Sequence, residues 1–164
     1  MKKKNAISAI QEKKELFTSV ADEIWGYAEP RFAEYQSAAA HCRVMEAQGF
    51  KVKLGLAGEE TAFVAEYGSG KPVIAILGEY DSLSGLSQQA DCTVPNPVEE
   101  GGQGHGCGHN LVGATASGAG ILLSKIVDEI GGRVIVYGTP AEETVGGKVL
   151  MAEMGAFDDC DLTL

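Results

Sequence analysis

The stretch Gly101–Asn110, reading GGQGHGCGHN, places His105, Cys107 and His109 at alternate positions among glycines. Imidazole nitrogens and a thiolate are borderline-to-soft donors of the kind that zinc and similar transition metals take. Alternate residues of an extended segment point to one side, so the three groups are predicted to face one point. The glycines let the backbone bend tightly and come close to an ion. The competing reading is a glycine-rich loop whose histidines cap the following helix or hydrogen-bond to a sheet. One short segment does not separate zinc from manganese, cobalt or nickel.

Two carboxylate groupings stand near in kind. Glu142 and Glu143 follow the apolar run Arg133–Tyr137 (RVIVY) and the turn Gly138-Thr139-Pro140-Ala141. In a functional pair, one carboxylate binds a metal while its neighbour takes a proton from a water whose pKa the metal has lowered. In the plainer reading both are solvated acids near a helix amino end, where the dipole favours them. Glu79 and Asp81 follow the apolar run Val73–Leu77 (VIAIL). They serve either to hold a ligand imidazole in one tautomer or to cap the loop, and both readings stay open.

The elements that must position these groups follow from periodicity. Residues 9–27 read as one amphipathic helix, and Tyr35–Gln48 as a second that stops at Gly49. Phe50–Leu54 and Thr61–Tyr67 read as strands, the first half-exposed. Val73–Leu77 suits a central strand buried on both faces. A long polar loop from Ser82 to Gly104 leads into the glycine-rich segment, and loops of about 20 residues are often functional. Leu111–Ile130 is a helix dense in small residues, with Asn110 as its expected cap. Arg133–Tyr137 is a second buried strand, Gly146–Met154 a short helix, and 157–164 a polar turn that becomes a strand. Strand, loop, helix, strand is a crossover unit, so the expected class is α/β. Both acidic groupings then lie past the carboxyl ends of buried strands, where open α/β sheets place their chemistry.

Composition narrows the function. The 164 residues carry a formal net charge of −10, which argues against nucleic acid or anionic membrane as partner. No secretory signal follows the initial lysines, and no run approaches the roughly 18 apolar residues of a membrane helix, so a cytoplasmic protein is expected. Cys42, Cys92, Cys107 and Cys160 form no C-x-x-C pair and are read as thiols, Cys42 and Cys160 as small buried hydrophobes. Gly70-Lys71 fails as a phosphate loop, because Ala65 and Pro72 occupy its glycine and hydroxyl positions.

Together, Gly78-Glu79-Tyr80-Asp81, His105-Gly106-Cys107-Gly108-His109-Asn110 and Gly138-Thr139-Pro140-Ala141-Glu142-Glu143 resemble the M20 metallopeptidase family. Trp25–Glu34 is similar to that family's early tryptophan–proline–glutamate segment. More narrowly, the chain resembles the amidohydrolase branch, which holds aminoacylase-like, indole-acetyl-amino-acid and p-aminobenzoyl-glutamate hydrolases. Gly85–Gln89 and Gly101–Leu111 look most like the last of these.

The resemblance implies a mixed sheet flanked by helices, the amino-terminal half of a zinc-peptidase-like catalytic domain. It implies a site with two divalent ions, manganese or zinc, that hydrolyses the amide bond of N-acyl amino acids or aminobenzoyl-glutamate-like compounds. Cys107, His109 and Glu143 match metal ligands, Glu142 the general base, and Asp81 the acid that orients metal-site groups; His105 is expected in support. A small-molecule N-acyl amino acid substrate is the expected partner, and the full-length members' pattern implies a homo- or hetero-oligomer. Those members also carry a dimerisation domain and two further histidine ligands, which residues 1–164 do not contain and His41 does not replace. The end at Leu164, where a strand begins, is read as a truncated or split reading frame. The alternative is a non-catalytic product that binds at most one metal.

Overall fold

The two apolar runs form neighbouring parallel strands, and the helix between them crosses over one face of the sheet. The computed structural model describes residues 3–143 and 146–164. In chain order the elements are α1 (Lys3–Glu12), α2 (Lys14–Tyr27), α3 (Tyr35–Ala47), β1 (Lys51–Leu56), β2 (Glu59–Ser69) and β3 (Val73–Gly78). There follow β4 (Leu83–Ser84), β5 (Gln103–Gly104), α4 (His109–Ile130), β6 (Gly132–Gly138), α5 (Gly147–Glu153) and β7 (Leu162–Thr163). The main sheet has the order β1-β2-β6-β3-β7. The β1–β2 and β2–β6 pairs are antiparallel, whereas β3 runs parallel to both β6 and β7. This is the α/β class that the pattern implied and the mixed sheet flanked by helices that the resemblance implied.

Three expectations need correction. The single helix over 9–27 is two helices, because Lys13 leaves the helical conformation (φ −109°, ψ 11°) and its ammonium reaches Gln48 Oε1 at 2.6 Å. The strand at the middle of the sheet is β6, not β3, although β3 is well buried. By length and composition α4 is apolar enough to cross a bilayer, yet half of its apolar window is buried inside the fold. It lies across β3 and β6 and against α2, as a core helix does.

Each face of the sheet carries its own apolar cluster, as the two-residue period of β2, β3 and β6 requires. On one face Phe63, Ala65, Ile76, Val134 and Val136 pack with Ile24, Met45 and Ile121 from α2, α3 and α4. On the other, Val64, Val73, Ala75, Ile135 and Tyr137 pack with Met151 of α5. Burying one such aliphatic side chain contributes about 1.5–3 kcal/mol. Cys42 and Cys160 are half-buried rather than fully buried, and all four cysteines are free thiols.

Close approach of α4 to the end of β3 depends on small residues. A Cβ on Gly78 would sit 2.7 Å from the Ala116 methyl, and one on Gly113 would sit 2.6 Å from His41 Nε2 and 2.7 Å from the Glu79 carbonyl oxygen. Those gaps hold the first turns of α4 against the residues that follow β3.

Beneath this contact His41 is wholly buried, its ring stacked on Phe63 (centroids 5.8 Å) and tilted on Tyr80 (5.4 Å). Its Nδ1 lies 2.9 Å from the Ser117 hydroxyl, and its Nε2 has no partner among the described residues. Burial pushes its pKa from 6.5 down to about 4. Because the folded value lies below the unfolded one, this residue's contribution is fully present above pH ~6.5 and is lost as pH falls toward 4. The loss is about 3 kcal/mol. Urea unfolding at pH 7 and pH 4.5 should therefore show a smaller drop in stability for His41→Asn than for wild type; an equal drop would show that His41 is not the proton acceptor.

Candidate metal and proton-transfer site

The loop before α4 is pinned at its two ends. Its start and finish pair as β4 and β5, and the Ser87 amide donates to the Gly102 carbonyl at 3.1 Å. The chain then turns rather than running extended through Gly106 and Cys107. Gly108 takes a left-handed conformation (φ 79°) and starts α4, with His109 as its first residue. Asn110 therefore does not cap the helix. It lies inside the first turn and its amide donates to the Ala21 carbonyl at 3.2 Å, fastening α4 to α2.

The turn also separates the three donors that alternate in sequence. The ring of His105 is buried beside Trp25, with Nε2 3.1 Å from the Ile24 carbonyl oxygen, and burial pushes its pKa down. It does not join Cys107 and His109 at one point. Their third companion is Glu143: the Cys107 sulfur, a His109 ring nitrogen and a Glu143 carboxylate oxygen all lie within 4.8 Å of one another. Cys107 is exposed, His109 buried and Glu143 half-buried, so the group opens to solvent on one side.

Asp81 joins these parts. Its carboxylate is buried (1% exposed) just past β3. Oδ1 lies 2.9 Å from His109 Nδ1, and Oδ2 accepts the Glu143 amide at 3.0 Å. Burial works against the charged carboxylate, but the hydrogen bonds from His109 and the Glu143 amide outweigh it and hold the Asp81 pKa below its ordinary value. The hydrogen bond to Asp81 in turn raises the His109 pKa, against the opposing effect of burial. An Nδ1 proton donated to Asp81 leaves the His109 Nε2 lone pair pointing into the open site.

Carboxylate oxygens surround that nitrogen. Glu79 Oε2 lies at 3.6 Å, Glu142 Oε2 at 3.8 Å and Glu143 Oε1 at 3.9 Å. Among the described residues the buried Glu143 Oε1 has no hydrogen-bond partner. Hydrogen bonding to Glu143, then burial and the neighbouring acids, pushes the Cys107 thiol up. A divalent ion reverses this logic, because it stabilises thiolate and carboxylate together. Thiolate, imidazole and carboxylate are a donor set that fits a divalent transition metal, and the Glu143 oxygen with no partner among the described residues fits a position facing an ion.

Sequence reasoning singled out Glu79 without its partner. The Lys148 ammonium, on the first turn of α5, forms an ion pair with Glu79 Oε1. Lys148 had no distinguishing sequence signal, since one lysine on a short helix reads as a solvated face. Replacing Asp81 by alanine strips acceptors from two buried donors at once. Asp81→Ala is expected to cost about 3 kcal/mol in urea unfolding. In the ion-free protein the NMR titration of the His109 ring should move to lower pH, and an unmoved titration would refute the Asp81 assignment.

No family model matches the chain. A p-aminobenzoyl-glutamate hydrolase subunit of Escherichia coli K12 is 46% identical over 158 residues, covering 95% of this chain and 33% of that protein. The Xaa-Arg dipeptidase of Mus musculus is 29% identical over 174 residues, covering 98% of this chain and 36% of the relative. The chain thus spans about a third of the length of these relatives. Among solved structures, a Bacillus subtilis dinuclear metal-binding peptidase from the M20 family superposes with a TM-score of 0.73 at 24% identity. That match covers 92% of this chain and 42% of the other.

Proposed function

Because this chain belongs to the M20 metallopeptidase family, in its amidohydrolase branch, we propose that its site serves metal-dependent hydrolysis of an amide bond in N-acyl amino acids or aminobenzoyl-glutamate-like compounds. The observation that carries this reading is the convergence of Cys107, His109 and Glu143 within 4.8 Å, with a second carboxylate, Glu142, at their border. Cys107 Sγ, His109 Nε2 and Glu143 would hold a divalent ion, zinc or manganese. Such an ion polarises a carbonyl oxygen and acidifies water. Glu142 is the more exposed of the two adjacent acids, at 38% of its side chain against 18% for Glu143. It remains hydrated and mobile enough to take a proton from the attacking water and pass it to the leaving amine. Asp81 keeps His109 in the tautomer whose Nε2 is a ligand.

The Escherichia coli relative is named as one subunit of its enzyme, which supports assembly with another chain, as a homo- or hetero-oligomer. Four free thiols, one of them a ligand, support a reducing cytoplasmic setting.

A second reading has its own support: among the described residues there is one such donor cluster, with three members. In that reading the 164-residue chain binds a single ion without turning over substrate. Hydrolysis of aminobenzoyl-glutamate and a panel of N-acyl amino acids, with Mn²⁺ or Zn²⁺, separates the two. Glu142→Gln is expected to lower turnover 10²- to 10⁴-fold while leaving metal affinity within a few-fold, whereas Cys107→Ser should weaken metal binding by calorimetry. Turnover unchanged in Glu142→Gln would remove that residue's role, and metal binding without turnover in wild type would favour the second reading.

A further inference from the structure

We propose that Glu34, which lies outside the metal-donor cluster, is a positioning residue that sets the Glu142–Glu143 turn through the Ala141 amide. The proposal rests on the metal-site reading given above. Glu34 precedes α3 and is wholly buried. Its Oε1 accepts the Ala141 N–H at 2.8 Å, and its Oε2 accepts the Thr61 hydroxyl at 2.8 Å. Ala141 is itself fully buried and sits at φ +54°, a conformation that a side chain other than glycine's disfavours. Something must hold it there, and the Glu34 carboxylate grips the amide of that residue.

The next two residues are the acids at the site. With the turn fixed at Ala141 by Glu34 and at Glu143 by the Asp81 bond to its amide, Glu142 is bracketed on both sides. Two further backbone bonds complete the frame: Thr139 N–H donates to the Gly78 carbonyl at 2.9 Å, and Gly147 N–H to the Ala141 carbonyl at 3.0 Å. The Thr61 carbonyl accepts the Tyr80 hydroxyl at 2.7 Å, and Tyr80 stands between Glu79 and Asp81. Glu34 and Thr61 thus connect the turn after β6 to the turn after β3 from beneath, while Asp81 connects them from above. A buried carboxylate is costly to keep, and its two oxygens accept one strained amide and the Thr61 hydroxyl of β2.

The test compares Glu34→Gln, Glu34→Asp and Glu34→Ala in the 164-residue protein. Glutamine keeps an acceptor at the same reach, whereas aspartate keeps the charge but is one methylene short. Met45→Ala is the control for general destabilisation, because Met45 is fully buried on α3 and has no part in the turn. Two readouts are needed: hydrogen exchange and chemical shift of the Ala141 amide by NMR, and titration with Co²⁺ followed through its thiolate absorption band. Glu34→Asp and Glu34→Ala are expected to lose Ala141 protection and to weaken Co²⁺ binding 10- to 100-fold, the range found when groups supporting metal ligands are removed. Glu34→Gln should stay within a few-fold of wild type on both, and Met45→Ala should melt earlier with both readouts unmoved. Should Glu34→Ala fail to fold, Glu34→Asp decides. Ala141 protection preserved in Glu34→Asp overturns the proposal. A wild type that binds no Co²⁺ sinks the metal reading instead, and the Ala141 readout still judges Glu34.

Discussion

Three distant parts of the chain meet at one carboxylate. Asp81 accepts the ring nitrogen of His109 with one oxygen and the amide of Glu143 with the other, and it is buried to 1% exposure while doing so. A charge in that setting is tolerated only because both oxygens are satisfied. The same two bonds fix the geometry of everything else at the site. They set which nitrogen of His109 is free, and they place the Glu143 backbone so that its side chain turns toward Cys107. Remove the carboxylate and the only direct link between the His109 ring and the Glu143 backbone among these contacts is lost.

What surrounds that anchor is negative. Glu79, Glu142 and Glu143 all come within 4 Å of one imidazole nitrogen, and the Lys148 ammonium pairs with Glu79. Together with the hydrogen bond to Glu143 and burial, this crowding of like charge pushes the Cys107 thiol pKa up. The fold tolerates the crowding by rigidity: α4 starts at His109 and is pressed onto the end of β3 through Gly78, Gly113 and Ala116, where no larger side chain fits. Local structure and electrostatics therefore pull in opposite directions here, as they do at many functional sites.

Much of this was legible in the sequence. Val73–Leu77 and Arg133–Tyr137 are continuous apolar runs, and such runs flanking a small-residue helix leave few options besides parallel strands with a crossover. The acids past each run mark the functional edge of the sheet for the same reason. Other features escaped because they depend on backbone direction, which residue type does not encode. His105 alternates with Cys107 and His109, but the turn through Gly106 and the left-handed Gly108 sends its ring toward Trp25 instead. Asn110 has the composition of a cap but sits just inside the helix that Gly108 starts. The break at Lys13 reflects a tertiary contact with Gln48, invisible to helical periodicity. Lys148 and the link from Glu34 to Ala141 are pairings across long sequence separations, which a pattern of neighbours does not reveal.

The sheet order has a consequence for how this molecule forms. β2 and β3 are consecutive in the chain, separated by a short turn, yet they are not paired; β6 lies between them, antiparallel to one and parallel to the other. A newly made chain has both of its neighbours available more than fifty residues before the strand that belongs between them. A local hairpin of β2 with β3 would occupy the edges that β6 takes in the native sheet. Folding of this topology is governed by late, non-local insertion, with a correspondingly high contact order and a slow approach to the native state. Until β6 is seated, Glu142 and Glu143 have no fixed relation to Asp81 or His109. The donor cluster therefore depends on β6 being seated between β2 and β3, because its acids take their place only from the end of that strand.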